Sequence, residues 1–192
     1  RSDGDQKYDS ATFYSISNCQ EGLSRVTLGN FLIKRVVFEI QEELPNIKHF
    51  GTLSPIPGFR DWFSYLEDAK IKNILGDAPI ENISFLKSPD LKVGDPRIVS
   101  NKVSITKLVA HYLMNEKNNK QLPINDVCRF HLGNGAIIDD IIINANVSEV
   151  GLNRSFGVMV NYLYELKNIE KNHEEYINNK TIIISDKLKK II

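Results

Sequence analysis

The chain has 192 residues and 24 basic side chains balanced by 24 acidic ones, so no net field attracts a polyanion and nucleic acid is not expected as a partner. With 42% hydrophobic and 25% charged residues it has the composition of one globular domain with a core of its own, and no apolar run reaches membrane-spanning length. Cys19 and Cys128 lie far apart without a C-x-x-C, which suggests neither a disulfide framework nor a zinc site; both are expected as reduced core thiols.

Residues 1–10 are polar and hold no apolar segment of the kind a signal peptide needs. Residues 11–18, A-T-F-Y-S-I-S-N, alternate well enough to predict a strand. A loop bearing Gly22 follows. From Leu28 the period changes: Leu28, Leu32, Val36, Ile40 and Leu44 recur every fourth residue, which predicts an amphipathic helix capped by Thr27 and stopped by Pro45. Residues 47–53 predict a second strand. The order strand, loop, helix, strand predicts a parallel pair joined by a right-handed crossover. Residues 59–75 read as one helix, with Trp62, Phe63 and Leu66 on one face, and residues 76–96 show no clear period. A helix over 105–114 is expected with Ser104 as its cap, then a polar break at 117–120 and a short helix or turn over 123–131. Asn134-Gly135 is a turn signal. Residues 136–148 predict one or two strands and 158–166 another, with a terminal helix from Asp186. No repeat and no internal domain boundary is visible.

Four places could carry chemistry. In H-F-G-T-L-S-P-I-P-G-F, two prolines and a glycine leave Ser54 little backbone freedom. This is either a strand stop or a hydroxyl held for use. The Gly-bearing loop ahead of the first helix is either an ordinary connection or an anion site at a helix N-terminus, where Gly22 and Gly29 allow close approach to the backbone. No Walker or G-x-G-x-x-G pattern accompanies it. His131, just before the turn in F-H-L-G-N-G-A, is a core histidine or a titrating group. His49 and His111 read as packing or surface residues, and no H-x-x-x-H pair suggests a metal. Asn161 and Tyr162, in S-F-G-V-M-V-N-Y-L-Y, lie in a strand with Tyr162 and Tyr164 on one face, and packing and function are not separable there.

Taken together, F-Y-S-I-S-N-C-Q-E-G-L-S-R-V-T-L-G-N-F-L-I-K-R-V, T-L-S-P-I-P-G-F, F-H-L-G-N-G-A and S-F-G-V-M-V-N-Y-L-Y resemble, in order and spacing, the catalytic domain of malonyl-CoA decarboxylases from about Thr12 to Tyr164. The resemblance implies an α/β (α+β) fold, a mixed sheet flanked by helices like that of the GCN5-related N-acetyltransferases. In such folds the acyl-CoA arm enters where two parallel strands splay apart. It implies conversion of malonyl-CoA to acetyl-CoA and CO2, an activity that regulates malonyl-CoA levels in fatty-acid metabolism, with no cofactor and no metal. Ser54 and His131 are then the catalytic pair. Ser24, Arg25, Val26, Thr27, Leu28, Gly29 and Asn30 form the phosphate loop, and Asn161 and Tyr162 also contact substrate. Thr27 stands where the family carries a glutamate. The family has a helical domain and further strands ahead of this region, so the chain, which starts at Arg1, is expected to be a catalytic-domain fragment lacking the first strands of its sheet. Malonyl-CoA and acetyl-CoA are the expected partners, with homo-oligomers in the full-length form and a cytoplasmic, mitochondrial or peroxisomal location. The ending K-L-K-K-I-I is not the peroxisomal S-K-L signal. An N-acyltransferase of the same fold, and a non-catalytic acyl-CoA-binding or assembly subunit, are the competing readings.

Overall fold

In the computed structural model, residues 8–14 and 29–192 are described, with side chains described at 8–14 and from residue 33 onward. Strands β1 (Ser10–Phe13), β2 (His49–Pro55), β3 (Ile137–Ile142) and β4 (Met159–Tyr164) form one mixed sheet in the order β1-β2-β4-β3. Around it lie α1 (Gly29–Glu43), α2 (Phe59–Ser64), α3 (Asp68–Leu75), α4 (Glu81–Ser84), α5 (Pro96–Ser100), α6 (Lys102–Met114), α7 (Asp126–Gly133), α8 (Glu149–Ser155), α9 (Ile169–Asn179) and α10 (Asp186–Lys189). This is the expected mixed sheet flanked by helices. Among the described residues no helix is long and apolar enough to cross a membrane.

The first two strands are parallel, as the order strand, helix, strand predicted, and β4 runs antiparallel to both β2 and β3. The β1–β2 ladder ends at Phe13 opposite Thr52. β2 continues through Leu53, Ser54 and Pro55, and there the ladder runs only to β4, with Ser54 opposite Val160. The β1–β2 ladder therefore ends at Thr52, just ahead of Ser54. Side chains alternate across a strand, so Phe50, Thr52 and Ser54 share a face with Val160, Tyr162 and Tyr164. Every one of these six is buried. The principal core lies on this face, beneath Ile105, Leu108, Val109 and Leu113 of α6 and Cys128 and Leu132 of α7.

Several local expectations are corrected. The buried stripe of α1 is Ile33 and Val37 with Ile40 packed beside them, while Val36 is half-buried and Leu44 is exposed. A strict four-residue repeat gains about 40° per step on an α-helix, so the predicted line has left the core by Leu44, and the 4-then-3 spacing of Ile33, Val37 and Ile40 stays on it. The predicted helix 59–75 breaks into α2 and α3. Leu66 is inserted into the core between them, and its carbonyl accepts from Lys87 Nζ at 2.7 Å instead of from a following helical amide. Ser104 is not a cap: α6 starts at Lys102 directly after α5, with Asn101 at the cap position, and Ser104 is buried in the first turn. The apolar stretch after Ala136 leaves the sheet at Ile142. β2 ends at Pro55, two residues beyond the predicted limit, which brings Ser54 inside the strand. The sequence reading missed α8 and α9; the only buried residues of α9 are Ile169, Asn172 and Tyr176, too sparse to stand out in a polar run. Residues 15–18, Cys19 and the proposed cap Thr27 lie outside the described residues.

Candidate active site

Two elements deliver the polar centre. β2 places Thr52 and Ser54 on the same face, with their hydroxyl oxygens 3.0 Å apart. α7 is capped by Asn125, whose Oδ1 accepts from Cys128 N at 2.8 Å, and it carries His131 in its last turn. The helix stops where Gly135 takes φ +81°, a conformation that suits glycine. The His131 ring lies parallel to that of Tyr162, centroids 4.3 Å apart. Its Nε2 is 2.9 Å from Ser54 Oγ, although the two residues are 77 positions apart in sequence. Its Nδ1 is 2.8 Å from Tyr164 Oη. The result is a hydrogen-bonded row, Thr52–Ser54–His131–Tyr164, spanning two strands and a helix.

Ser54 is 6% exposed and His131 3%. Burial disfavours the imidazolium and pushes His131 down to about 3, so the ring is neutral near pH 7. A neutral ring carries one N–H. Either Ser54 donates to Nε2 while Nδ1–H donates to Tyr164, or Tyr164 donates to Nδ1 while Nε2–H donates to Ser54. Burial pushes the Tyr164 and Tyr162 hydroxyls up, which keeps both protonated. Both arrangements are uncharged, and in each the ring is held by hydroxyls on its two nitrogens.

The pair borders a cavity of about 520 Å³ at the end of the β1–β2 ladder. Phe13 and Tyr14 from β1 and its end, residues 52–55 from β2, and Val127, Phe130 and His131 from α7 line it, with Asn146, Arg154 and Met159 on the side of α8 and β4. The wall mixes apolar and polar side chains; Asp126 and Arg154 supply its full charges among the described lining residues.

The structure thus brings Ser54 and His131 together. Tyr162 sits beneath the His131 ring and does not line the cavity. Asn161 is on the opposite face of β4. Its buried Oδ1 has no hydrogen-bond partner among the described residues, and a Cβ at Gly51 would come within 3.2 Å of it. Ser24, Arg25, Val26, Thr27 and Leu28 lie outside the described residues. Gly29 and Asn30 open α1, with their side chains likewise outside. Thr52 and Tyr164 were not singled out from sequence as polar partners. The available signal was the alternation in N-Y-L-Y, which puts both tyrosines on the face where His131 packs. His49 is exposed at the start of β2, and His111 stacks on Trp62, consistent with surface and packing roles.

The depressed His131 value makes stability depend on pH. The ring's unfolded value is near 6.5. The unfolded chain therefore binds the extra proton first, and the contribution is complete above about pH 6.5 and lost as pH falls toward 3. Within that window the slope is at most about 1.4 kcal/mol per pH unit. Urea unfolding of the wild type and of His131→Asn between about pH 7 and 4 should show the wild type losing stability more steeply, by up to that slope. Equal slopes would mean that the folded protein accepts the proton.

Comparisons with known proteins relate the chain to one family. A family model described as the malonyl-CoA decarboxylase C-terminal domain matches residues 1–192. The curated mitochondrial malonyl-CoA decarboxylases of Anser anser anser and Rattus norvegicus are 37% and 36% identical, each over 95% of this chain. The chain spans about 40% of the length of each of these relatives. The crystal structure of malonyl-CoA decarboxylase from Rhodopseudomonas palustris superposes with a TM-score of 0.84 at 39% identity, covering 95% of this chain and 42% of that one. That from Agrobacterium vitis gives 0.79 at 36% identity, covering 95% and 45%. With a match along its whole length and relatives above one-third identity, the chain belongs to the malonyl-CoA decarboxylase family and corresponds to its C-terminal domain.

Proposed function

We propose that this chain is the catalytic portion of a carboxy-lyase that converts malonyl-CoA to acetyl-CoA and CO2, with Ser54 and His131 as its proton-transfer pair. The observation that carries the proposal is the 2.9 Å contact between these side chains at the wall of the cavity beside the end of the β1–β2 ladder, in a chain of this family. The loop 24–30 is proposed to hold the CoA phosphates at the start of α1.

The chemistry needs an electron sink, and the thioester supplies it. The bond between the α-carbon and the carboxylate breaks, CO2 leaves, and the electron pair enters the thioester as an enolate. Ser54 donates a hydrogen bond to the oxygen where that charge develops. The bound carboxylate, and then the enolate, place a negative charge near His131 and oppose the burial that keeps the free ring neutral. The ring takes up one proton from solvent as substrate binds, gives it to the α-carbon, directly or through Ser54, and returns to the neutral form. The apolar part of the wall, Phe13, Leu53, Val127, Phe130 and Met159, favours a step in which charge leaves the carboxylate.

The test is to incubate the intact protein with malonyl-CoA and to measure acetyl-CoA and CO2 as they form. Equal molar yields of both are expected. Acyl-CoA binding without turnover would replace this reading with that of a binding subunit. In the pH profile, kcat should fall as pH rises through an apparent pKa above the value of about 3 held by the free ring, because kcat reports the complex.

A further inference from the structure

The two members of the pair sit on different elements, and something must fix one element against the other. Ser54 is in β2, and the chain leaves β2 through Pro55, Ile56 and Pro57. His131 is in α7, and Asn125 stands at the start of that helix. The carboxamide of Asn125 does two things at once. Its Oδ1 accepts from Cys128 N at 2.8 Å and caps α7. Its Nδ2 donates to the Pro57 carbonyl at 2.9 Å, 68 residues away in sequence. The same carbonyl accepts from Tyr112 Oη of α6 at 3.0 Å. Both donors are buried. Gly58 makes this possible: it takes φ +80°, and a Cβ there would come within 2.8 Å of Tyr112 Oη. The far end of α7 is pinned as well, because His173 Nδ1–H donates to the Gly133 carbonyl at 2.6 Å.

We propose that Asn125 is a positioning residue for the Ser54–His131 pair: with the Tyr112 hydroxyl, its carboxamide holds the Pro57 carbonyl and so fixes α7 against the end of β2. The inference rests on the functional reading of that pair. Helix capping alone asks only for a short side-chain acceptor, which serine also provides. The additional reach of asparagine, and its N–H donor, are what the Pro57 carbonyl uses. The P-I-P-G stretch then has a second purpose beyond stiffness, since it presents one carbonyl that accepts both from α6 and from the cap of α7.

Asn125→Ser separates the two roles, because it keeps the cap and loses the link. In the intact protein, kcat for malonyl-CoA should fall about 10²-fold, the size expected of a misplacement near 1 Å. KM should stay within about threefold, as for a loss felt only in the transition state. Tyr112→Phe removes the second donor and should lower kcat about 10-fold with the same split. If Asn125→Ser does not fold, Tyr112→Phe, which deletes one oxygen, decides on the same criteria. Leu188→Ala, a core change in α10, serves as the control for lost stability. In ¹⁵N spectra of the imidazoles, the His131 Nε2 signal should move toward that of a nitrogen without a hydroxyl partner. Unchanged kcat with unchanged His131 signals overturns the inference, as does an equal kcat loss in Leu188→Ala at matched Tm. A wild type that fails to turn over malonyl-CoA overturns the functional reading, and the ¹⁵N spectra still decide the link without substrate.

Discussion

Replacing His131 with Asn should lower malonyl-CoA turnover by roughly 10²–10⁴-fold, the range lost with a general acid. Asparagine keeps a polar group near Ser54 and removes the titrating one. CoA affinity should change little, because the phosphates are expected at the other end of the channel, near the start of α1. Ser54→Ala should lose a similar factor, since it removes the hydroxyl 2.9 Å from His131 Nε2. The double variant should be little worse than either single, as for groups that act as one unit. Steady-state kinetics of the three variants in the intact protein, with calorimetric affinities for CoA, would measure this. Near-normal turnover in His131→Asn would leave the histidine as a packed core ring with both nitrogens satisfied. Losses that multiply in the double variant would show two independent contributions.

Gly135→Ala should destabilise the fold by about 3–5 kcal/mol, well beyond an ordinary surface change. Gly135 takes φ +81°, and a Cβ there would fall on the Ile169 carbonyl oxygen and within 2.9 Å of its carbon. Both atoms are backbone, at the start of α9, so a rotamer change cannot relieve the contact. The same turn is tied from two sides: Gly135 N donates to the Leu132 carbonyl at 2.9 Å, and Asn172 Nδ2 donates to the Gly135 carbonyl at 3.2 Å. Making room moves α9 away from the end of α7. For a chain of this size the expected fall in Tm is about 10 °C. Thermal unfolding followed by circular dichroism would show it, and a fall of only one or two degrees would mean that the turn yields cheaply.

Much of this arrangement could be read from the residues before the structure, and the physical reasons differ from place to place. The parallel pair β1–β2 follows from the order strand, helix, strand, which depends on local periodicity and connection length. Ser54 and His131 drew notice because proline, glycine and Asn-Gly punctuation restricts the backbone around them. Their meeting depends on how α7 lies across the sheet, and no local pattern encodes that; the family resemblance supplied the pairing. The face of α1 was misjudged because leucine and isoleucine stand off the buried line as well as on it, and the partner surface decides which side is covered. Tyr164 was legible as a same-face neighbour of Tyr162 and not as the partner of His131 Nδ1, since its hydroxyl finds the ring only after β4 and α7 pack. Ser104 looked like a cap because it precedes an apolar run. Asn101, wedged between two helices, occupies that place instead.

The polar row is built on β2, β4 and α7, and residues 65–100 contribute none of the described side chains that line the cavity. That stretch is a succession of short helices, α3, α4 and α5, joined by exposed turns at Gly76 and Gly94, both with positive φ and with open space where a Cβ would stand. Exposed turns of this kind absorb insertions and deletions with little cost to the framework they connect. Over evolutionary time the chain is therefore free to drift in length and composition on this flank while the chemistry stays in place. For laboratory evolution the same division separates two kinds of library: variation at the Gly76 and Gly94 turns is expected to tune solubility and stability, whereas variation at 52–58 and 125–131 changes the proposed site itself.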